Sequence, residues 1–238
     1  MQILIKNEKI NNLKVTSFQA AEQSDQKEII LVSDYGRTSK SYFDFAYYLI
    51  CNGYNIKCIE YNNSINLDSE MSEIEKFVRS SETKIVVVDG ISIFPTIICT
   101  NNFDGPIKLI CFNPVKTDSA FVNKNNNYFI NGCAVTREYF NEWKKYSEVD
   151  FTVNKKADIT FICNSNDFEN LNKIKNMKNT KYITINRNSD NIYKNPVVAF
   201  EYYSAIVDEC NNFLNKNNKR IIPTYMEIIS EFDKSRRS

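Results

Sequence analysis

The stretch Lys84-Ile85-Val86-Val87-Val88-Asp89-Gly90-Ile91-Ser92-Ile93-Phe94-Pro95 decides the fold. Its first half is a continuous apolar run, the pattern of a strand buried on both faces. The run breaks at Asp89-Gly90 and resumes over Ile93–Thr100 as a helix or turn behind the strand. A serine two residues after a glycine, between a buried strand and a helix, is half of the nucleophile-elbow pattern G-x-S-x-G. The closing glycine is replaced by Phe94, and an ordinary helix N-cap accounts for Ser92 equally well.

Outward from this stretch the chain alternates in the same way. Glu28–Val32, Ile56–Glu60, Ile107–Phe112, Ile159–Cys163 and Lys181–Ile185 read as further strands. Between them, Ser41–Cys51 carries Tyr42, Phe45, Ala46 and Leu49 at helical spacing, and Asn52-Gly53 ends that helix. Ser72–Ser80 is helical, with Met71, Ile74, Phe77 and Val78 on one side. Asn195-Pro196 opens a helix with a cap residue and a first-turn proline, and Ile221–Phe232 closes the chain as a short amphipathic helix. Strand–helix alternation with buried strands predicts an α/β fold with a doubly wound, mostly parallel sheet. Residues 1–238 are expected to form one domain. The exception is Asn113–Phe151, rich in Asn and aromatics and without a clear strand, which is expected to cover the carboxyl edge of the sheet.

Composition narrows the function. Thirty Lys and Arg against 29 Asp and Glu leave a net charge of +1, which argues against a protein built to hold nucleic acid by bulk charge. The chain contains no histidine, so no imidazole base, ligand or pH switch comes from this polypeptide. Seven Cys with no C-x-x-C pair read as reduced core residues of a cytoplasmic protein. Without His or paired Cys no zinc site is expected, and no cofactor either. No apolar stretch approaches the roughly 20 residues of a membrane span. The 33 Asn read as a composition bias rather than a functional signal.

In a sheet of this kind, sites lie at the carboxyl ends of the strands. Besides Ser92, two other strand ends stand out. Ser33-Asp34-Tyr35-Gly36-Arg37 is placed to supply a backbone N–H, at Tyr35, to an oxyanion hole completed by the N–H of Ile93. A plain strand-to-helix turn explains its glycine equally well. Asn164-Ser165-Asn166-Asp167 is where a triad acid would stand, with an Asx-turn as the plainer reading. Asp89 as a carboxylate nucleophile lacks a base to resolve its ester. The S-x-x-K match at Ser81–Lys84 precedes a strand rather than lying on a helix, and the basic residues from Lys216 onward read as solvated surface.

The order of Ser33–Arg37, Tyr42–Leu49, Asn52-Gly53-Tyr54, Lys84–Ile97, Phe161–Asp167, Asn188-Ser189-Asp190 and Asn195–Val198 resembles the acyl transferases of bacterial bioluminescence operons. The resemblance implies an α/β-hydrolase fold and an acyl-carrier-protein thioesterase ancestry. It carries the nucleophile to Ser92, the triad acid to Asp167, and the catalytic histidine to Asp190. A second alignment, shifted by two residues, puts Gly90 at the nucleophile. With Asp in place of His the triad is degenerate, because an unperturbed Asp, with a pKa of about 3.9, is a weak base for a serine hydroxyl. Three expectations follow: a degenerate scaffold that binds an acyl chain, an acyl-carrier protein or a catalytic partner protein; an enzyme using Ser92 with an unusual base such as Asp190; or an interaction subunit docking through Tyr128–Trp143 and its C-terminal helix.

Overall fold

A computed structural model describes residues 2–22, 25–61, 66–101, 103–114, 120–148, 157–164, 180–185, 195–216 and 220–235. Its main sheet has eight strands: β1 (Ile3–Ile10), β2 (Leu13–Ala20), β3 (Lys27–Val32), β4 (Tyr54–Glu60), β5 (Ile85–Asp89), β6 (Ile107–Phe112), β10 (Ala157–Asn164) and β11 (Thr180–Ile185). They lie in the order β1-β2-β4-β3-β5-β6-β10-β11. β1 and β2 form an antiparallel hairpin, β2 meets β4 antiparallel, and every later pairing is parallel. Six α-helices are described: α1 (Phe43–Cys51), α2 (Leu67–Ser80), α3 (Ile93–Thr100), α4 (Arg137–Glu148), α5 (Pro196–Phe213) and α6 (Tyr225–Ser235).

The runs Ile29–Val32 of β3 and Ile85–Val88 of β5 are apolar throughout because both of their faces are covered. Along β5, Val86 and Val88 pack with α2 and α3, while Ile85 and Val87 pack with α1 and α5. β3 divides in the same way, Ile30 and Val32 to one side, Ile29 and Leu31 to the other. All eight side chains have no exposed surface. At roughly 1.5–3 kcal/mol for each fully buried aliphatic side chain, this centre anchors the fold. The helix ends follow the sequence signals. Gly53, at φ +83°, donates its N–H to the Ile50 carbonyl, and the Asn195 side chain accepts the N–H groups of Val197 and Val198.

Two regions depart from the sequence reading. The amino-terminal residues form the hairpin β1–β2, which turns at Asn11 with φ +55°. The segment expected to lack strands contains a three-stranded antiparallel meander, β7 (Phe121–Lys124), β8 (Asn127–Ile130) and β9 (Cys133–Val135), followed by α4. Its turns are built by Asn125-Asn126 and Asn131-Gly132, all four at positive φ. Six of the seven described non-glycine residues at positive φ are Asn, so in these places the Asn content shapes the backbone. The meander and α4 pack onto α2, α3 and the loop after β3, joining their core through Ile130, Tyr139, Phe140 and Trp143.

Candidate functional site

The chain leaves β5 through Asp89, still extended, and turns at Gly90 with φ +61°. A single 3-10 turn over Gly90–Ser92 then feeds α3. This left-handed strand-to-helix turn has the shape of a nucleophile elbow, and it lies two residues before Ser92. Left-handed backbone is accessible to glycine without steric cost. Here there is a second requirement: a Cβ at position 90 would stand 2.2 Å from Cγ and Oδ1 of Asp34.

Asp34 reaches this point from the loop after β3, the parallel neighbour of β5 in the register Val32 to Val88. Its Oδ1 accepts the N–H of Ile91 and the N–H of Tyr35, each at 3.0 Å. One donor follows the turn residue and the other comes from the loop after β3, the two sources that make an oxyanion hole in this architecture. Both N–H groups are occupied here by the chain's own Asp34 carboxyl oxygen.

A second carboxylate lies alongside. Asp89 has no exposed surface and accepts Tyr42 Oη at 2.6 Å and Asn113 Nδ2 at 3.2 Å. Tyr42 Oη in turn accepts the Asp34 N–H at 2.8 Å, tying the two residues through one phenol. Burial, reinforced by the charge of Asp89, pushes the Asp34 carboxyl up to about 7. The N–H groups of Ile91 and Tyr35, and Arg37 with Nε 3.7 Å from Oδ2, act in the opposite direction. Desolvation outweighs them because the site is closed to water.

Ser92 is fully buried, with φ −65° and ψ −12°, and its Oγ donates to the Ser33 carbonyl at 2.7 Å. It does not cap α3 with its side chain. The expectation that the Ile93 N–H faces an oxyanion is corrected: that N–H closes the 3-10 turn onto the Gly90 carbonyl. The Tyr35 N–H is on Asp34, as described. Asp167 and Asp190 lie outside the described residues. The sequence points to Asp34 only as part of a loop that offers a backbone N–H, and to Asp89 only as a nucleophile without a base; the structure makes both buried hydrogen-bond acceptors of this turn.

The meander and α4 reach the loop after β3. Asn131 Nδ2 donates to the Tyr35 carbonyl at 3.1 Å, and a Cβ at Gly36 (φ +82°) would meet Cys133 Sγ at 2.6 Å. The Tyr35 ring lies 6.0, 5.8 and 5.4 Å from those of Tyr61, Tyr139 and Trp143. Tyr139 also donates to the buried Glu70 of α2. All seven cysteines are free thiols. Among the described residues no group of three or more His, Cys, Asp or Glu is arranged to hold a metal, and no helix is long and apolar enough to cross a membrane.

No family model and no curated protein sequence matches the chain. Solved structures do. A soluble variant of the monoglyceride lipase of Saccharomyces cerevisiae superposes with a TM-score of 0.65 at 8% identity, over 92% of this chain and 97% of that one. Est1E from Butyrivibrio proteoclasticus gives 0.60 at 11% identity, over 86% and 98%. The thioesterase domain of the curacin biosynthetic pathway gives 0.56 at 7% identity, over 90% and 100%. Identities this low establish the scaffold, and the scaffold is the α/β-hydrolase fold.

Proposed function

We propose that this chain is a catalytically silent α/β-hydrolase-fold protein, kept for binding rather than for turnover. One observation carries the reading. At the left-handed turn where this scaffold presents a nucleophile there is a glycine, and the space above it holds the carboxylate of Asp34. An oxyanion formed by an attacked ester would have to displace the Asp34 carboxyl oxygen that both N–H donors already hold. The sequence contains no histidine to activate a hydroxyl. Losing the nucleophile or the base of a triad costs about a millionfold in turnover. The alternative of an enzyme using Ser92 has less support, since its hydroxyl is already donated to Ser33 in the interior.

The names of the structural neighbours, a lipase, an Est1E protein and a thioesterase domain, belong to those proteins. They nevertheless suggest the class of ligand such a scaffold inherits: an acyl chain, an acyl-carrier protein, or an active partner enzyme in the cytoplasm. The test exposes the pure protein to a fluorophosphonate probe, to p-nitrophenyl acyl esters and to acyl-carrier-protein thioesters. No labelling and no saturable hydrolysis are expected. Rapid stoichiometric labelling at Ser92 with saturable turnover would overturn the proposal.

A further inference from the structure

A groove of about 720 Å³ lies away from the elbow, between the inner face of the β1–β2 hairpin, the start of α1 and the end of α6. It falls within the roughly 300–1,000 Å³ typical of small-molecule sites. The hairpin register places Ile3, Ile5 and Asn7 opposite Ala20, Phe18 and Thr16, all on one face because side chains alternate. At one end α6 closes down: the Ile3 N–H donates to Glu231 Oε1 at 3.0 Å, and the Phe43 and Phe232 rings meet at 4.9 Å. Toward the other end nothing described covers the floor, and Ile5 remains 39% exposed.

The groove is chemically graded along its length. Its closed end is apolar, with Ile3, Phe18, Phe43 and Phe232. Its open end is rich in donors. Thr16 Oγ1 donates to Asn7 Oδ1 at 2.8 Å, which leaves the amide N–H groups as what Asn7 offers to a ligand; Ser39 Oγ lies 3.0 Å from the same Thr16 hydroxyl, and the exposed Lys40 that follows Ser39 also lines the groove. The two ends are separated by the four residue steps from Ile3 to Asn7, about 13 Å at roughly 3.3 Å per residue. An apolar trough that ends in amide and ammonium donors is complementary to one kind of molecule.

We propose that this groove binds a single-chain amphiphile with an anionic head, the chain lying on Ile5, Phe18 and Phe43 and the head on Lys40 and Asn7. Covering Ile5 recovers apolar surface that the fold leaves in water. A carboxylate or a phosphate monoester meets the donor end equally well, and both share the chemistry of an oxyanion accepting charge-assisted hydrogen bonds. The proposal does not depend on whether the elbow turns over.

The test measures equilibrium binding of decanoate, decyl phosphate and decanol to the intact protein, below their aggregation thresholds. Saturable one-to-one binding of either anion, with decanol at least about tenfold weaker, is expected. The tighter anion identifies the head. Lys40→Glu, at the exposed rim, and Ile5→Glu, on the open floor, should each weaken that anion about tenfold while the melting temperature of Lys40→Glu stays unchanged. Absence of saturable binding, equal affinity for decanol, or indifference to both substitutions would overturn the site. Covalent labelling reads the elbow and equilibrium binding reads the groove, so the two proposals fail separately.

Discussion

Asp34 fills the volume that a side chain at position 90 would need: an added Cβ there would meet its carboxylate carbon at 2.2 Å. The two residues stand 56 positions apart but are neighbours because β3 and β5 pair in parallel and each leaves the sheet one or two residues later. A left-handed glycine, two converging N–H groups and a buried carboxylate are mutually dependent at this point. Each becomes unfavourable if another is changed alone.

Gly90→Ala should therefore be costly in the native protein and far cheaper once Asp34 is removed. Strain at φ +61° alone is worth about 1–3 kcal/mol, and the clash adds to it. A double-mutant cycle with Asp34→Gly, read by urea unfolding, should give a coupling of about 1–3 kcal/mol in favour of the double variant. Additivity within about 0.5 kcal/mol would mean that the two positions do not compete for space.

Stability should depend on pH through Asp34. Its folded pKa of about 7 lies above the ordinary 3.8, so between these values the folded state holds a proton that the unfolded chain has released. Stability contributed by that proton is complete at the acid end, falls as pH rises through this window, and changes no further above it. The slope is at most about 1.4 kcal/mol per pH unit. Asp34→Asn keeps an acceptor for Ile91 and Tyr35 but cannot titrate. Its unfolding midpoints should be flatter between about pH 4 and 7, and higher than the parent's at about pH 8. Parallel pH profiles for the two proteins would show that Asp34 ionises normally.

The sheet was legible where burial is two-sided, because the runs Ile29–Val32 and Ile85–Val88 carry no polar residue on either face. The β1–β2 hairpin was not, since β1 is an edge strand with one neighbour and carries Lys6, Asn7, Glu8 and Lys9 in solvent. Its signal was the Asn11-Asn12 turn between two stretches of equal length. The cover meander was hidden for the same reason: strands of three or four residues show no periodicity, and its Asn turns resembled the background composition. At the elbow, the serine hydroxyl is the more conspicuous sequence signal, whereas the left-handed turn needs the glycine. The strand runs one residue beyond Val88, to Asp89, and so the turn falls on Gly90.

Ser92→Ala should behave as a packing change. The lost Oγ–H leaves the buried Ser33 carbonyl without that donor, which costs about 1–2 kcal/mol. Denaturant unfolding should show this loss, while reactivity toward a fluorophosphonate stays at the background of the parent. A parent-specific adduct that vanishes in Ser92→Ala would assign the hydroxyl a chemical role instead.

Far from the elbow, at the start of β6, Lys108 is buried and bonds Asp158, Glu209 and Thr160 at 2.9, 2.9 and 3.0 Å. Glu209 of α5 is buried too and also accepts from Lys181. Burial raises the Glu209 pKa, but hydrogen bonds from Lys181, Lys108 and Thr160 prevail and hold it at about 2. A carboxyl depressed from 4.5 stabilises the fold above that pH, and the contribution is lost as pH falls toward about 2. Glu209→Gln should remove this acid sensitivity. Lys108→Met strands part of a buried charge and should cost about 3 kcal/mol. Lys108→Met with Glu209→Met should recover most of that loss, because the interior then holds neither ion. If the double variant is instead less stable than Lys108→Met alone, the pair fastens α5 to the sheet through its charges and not merely through mutual neutralisation.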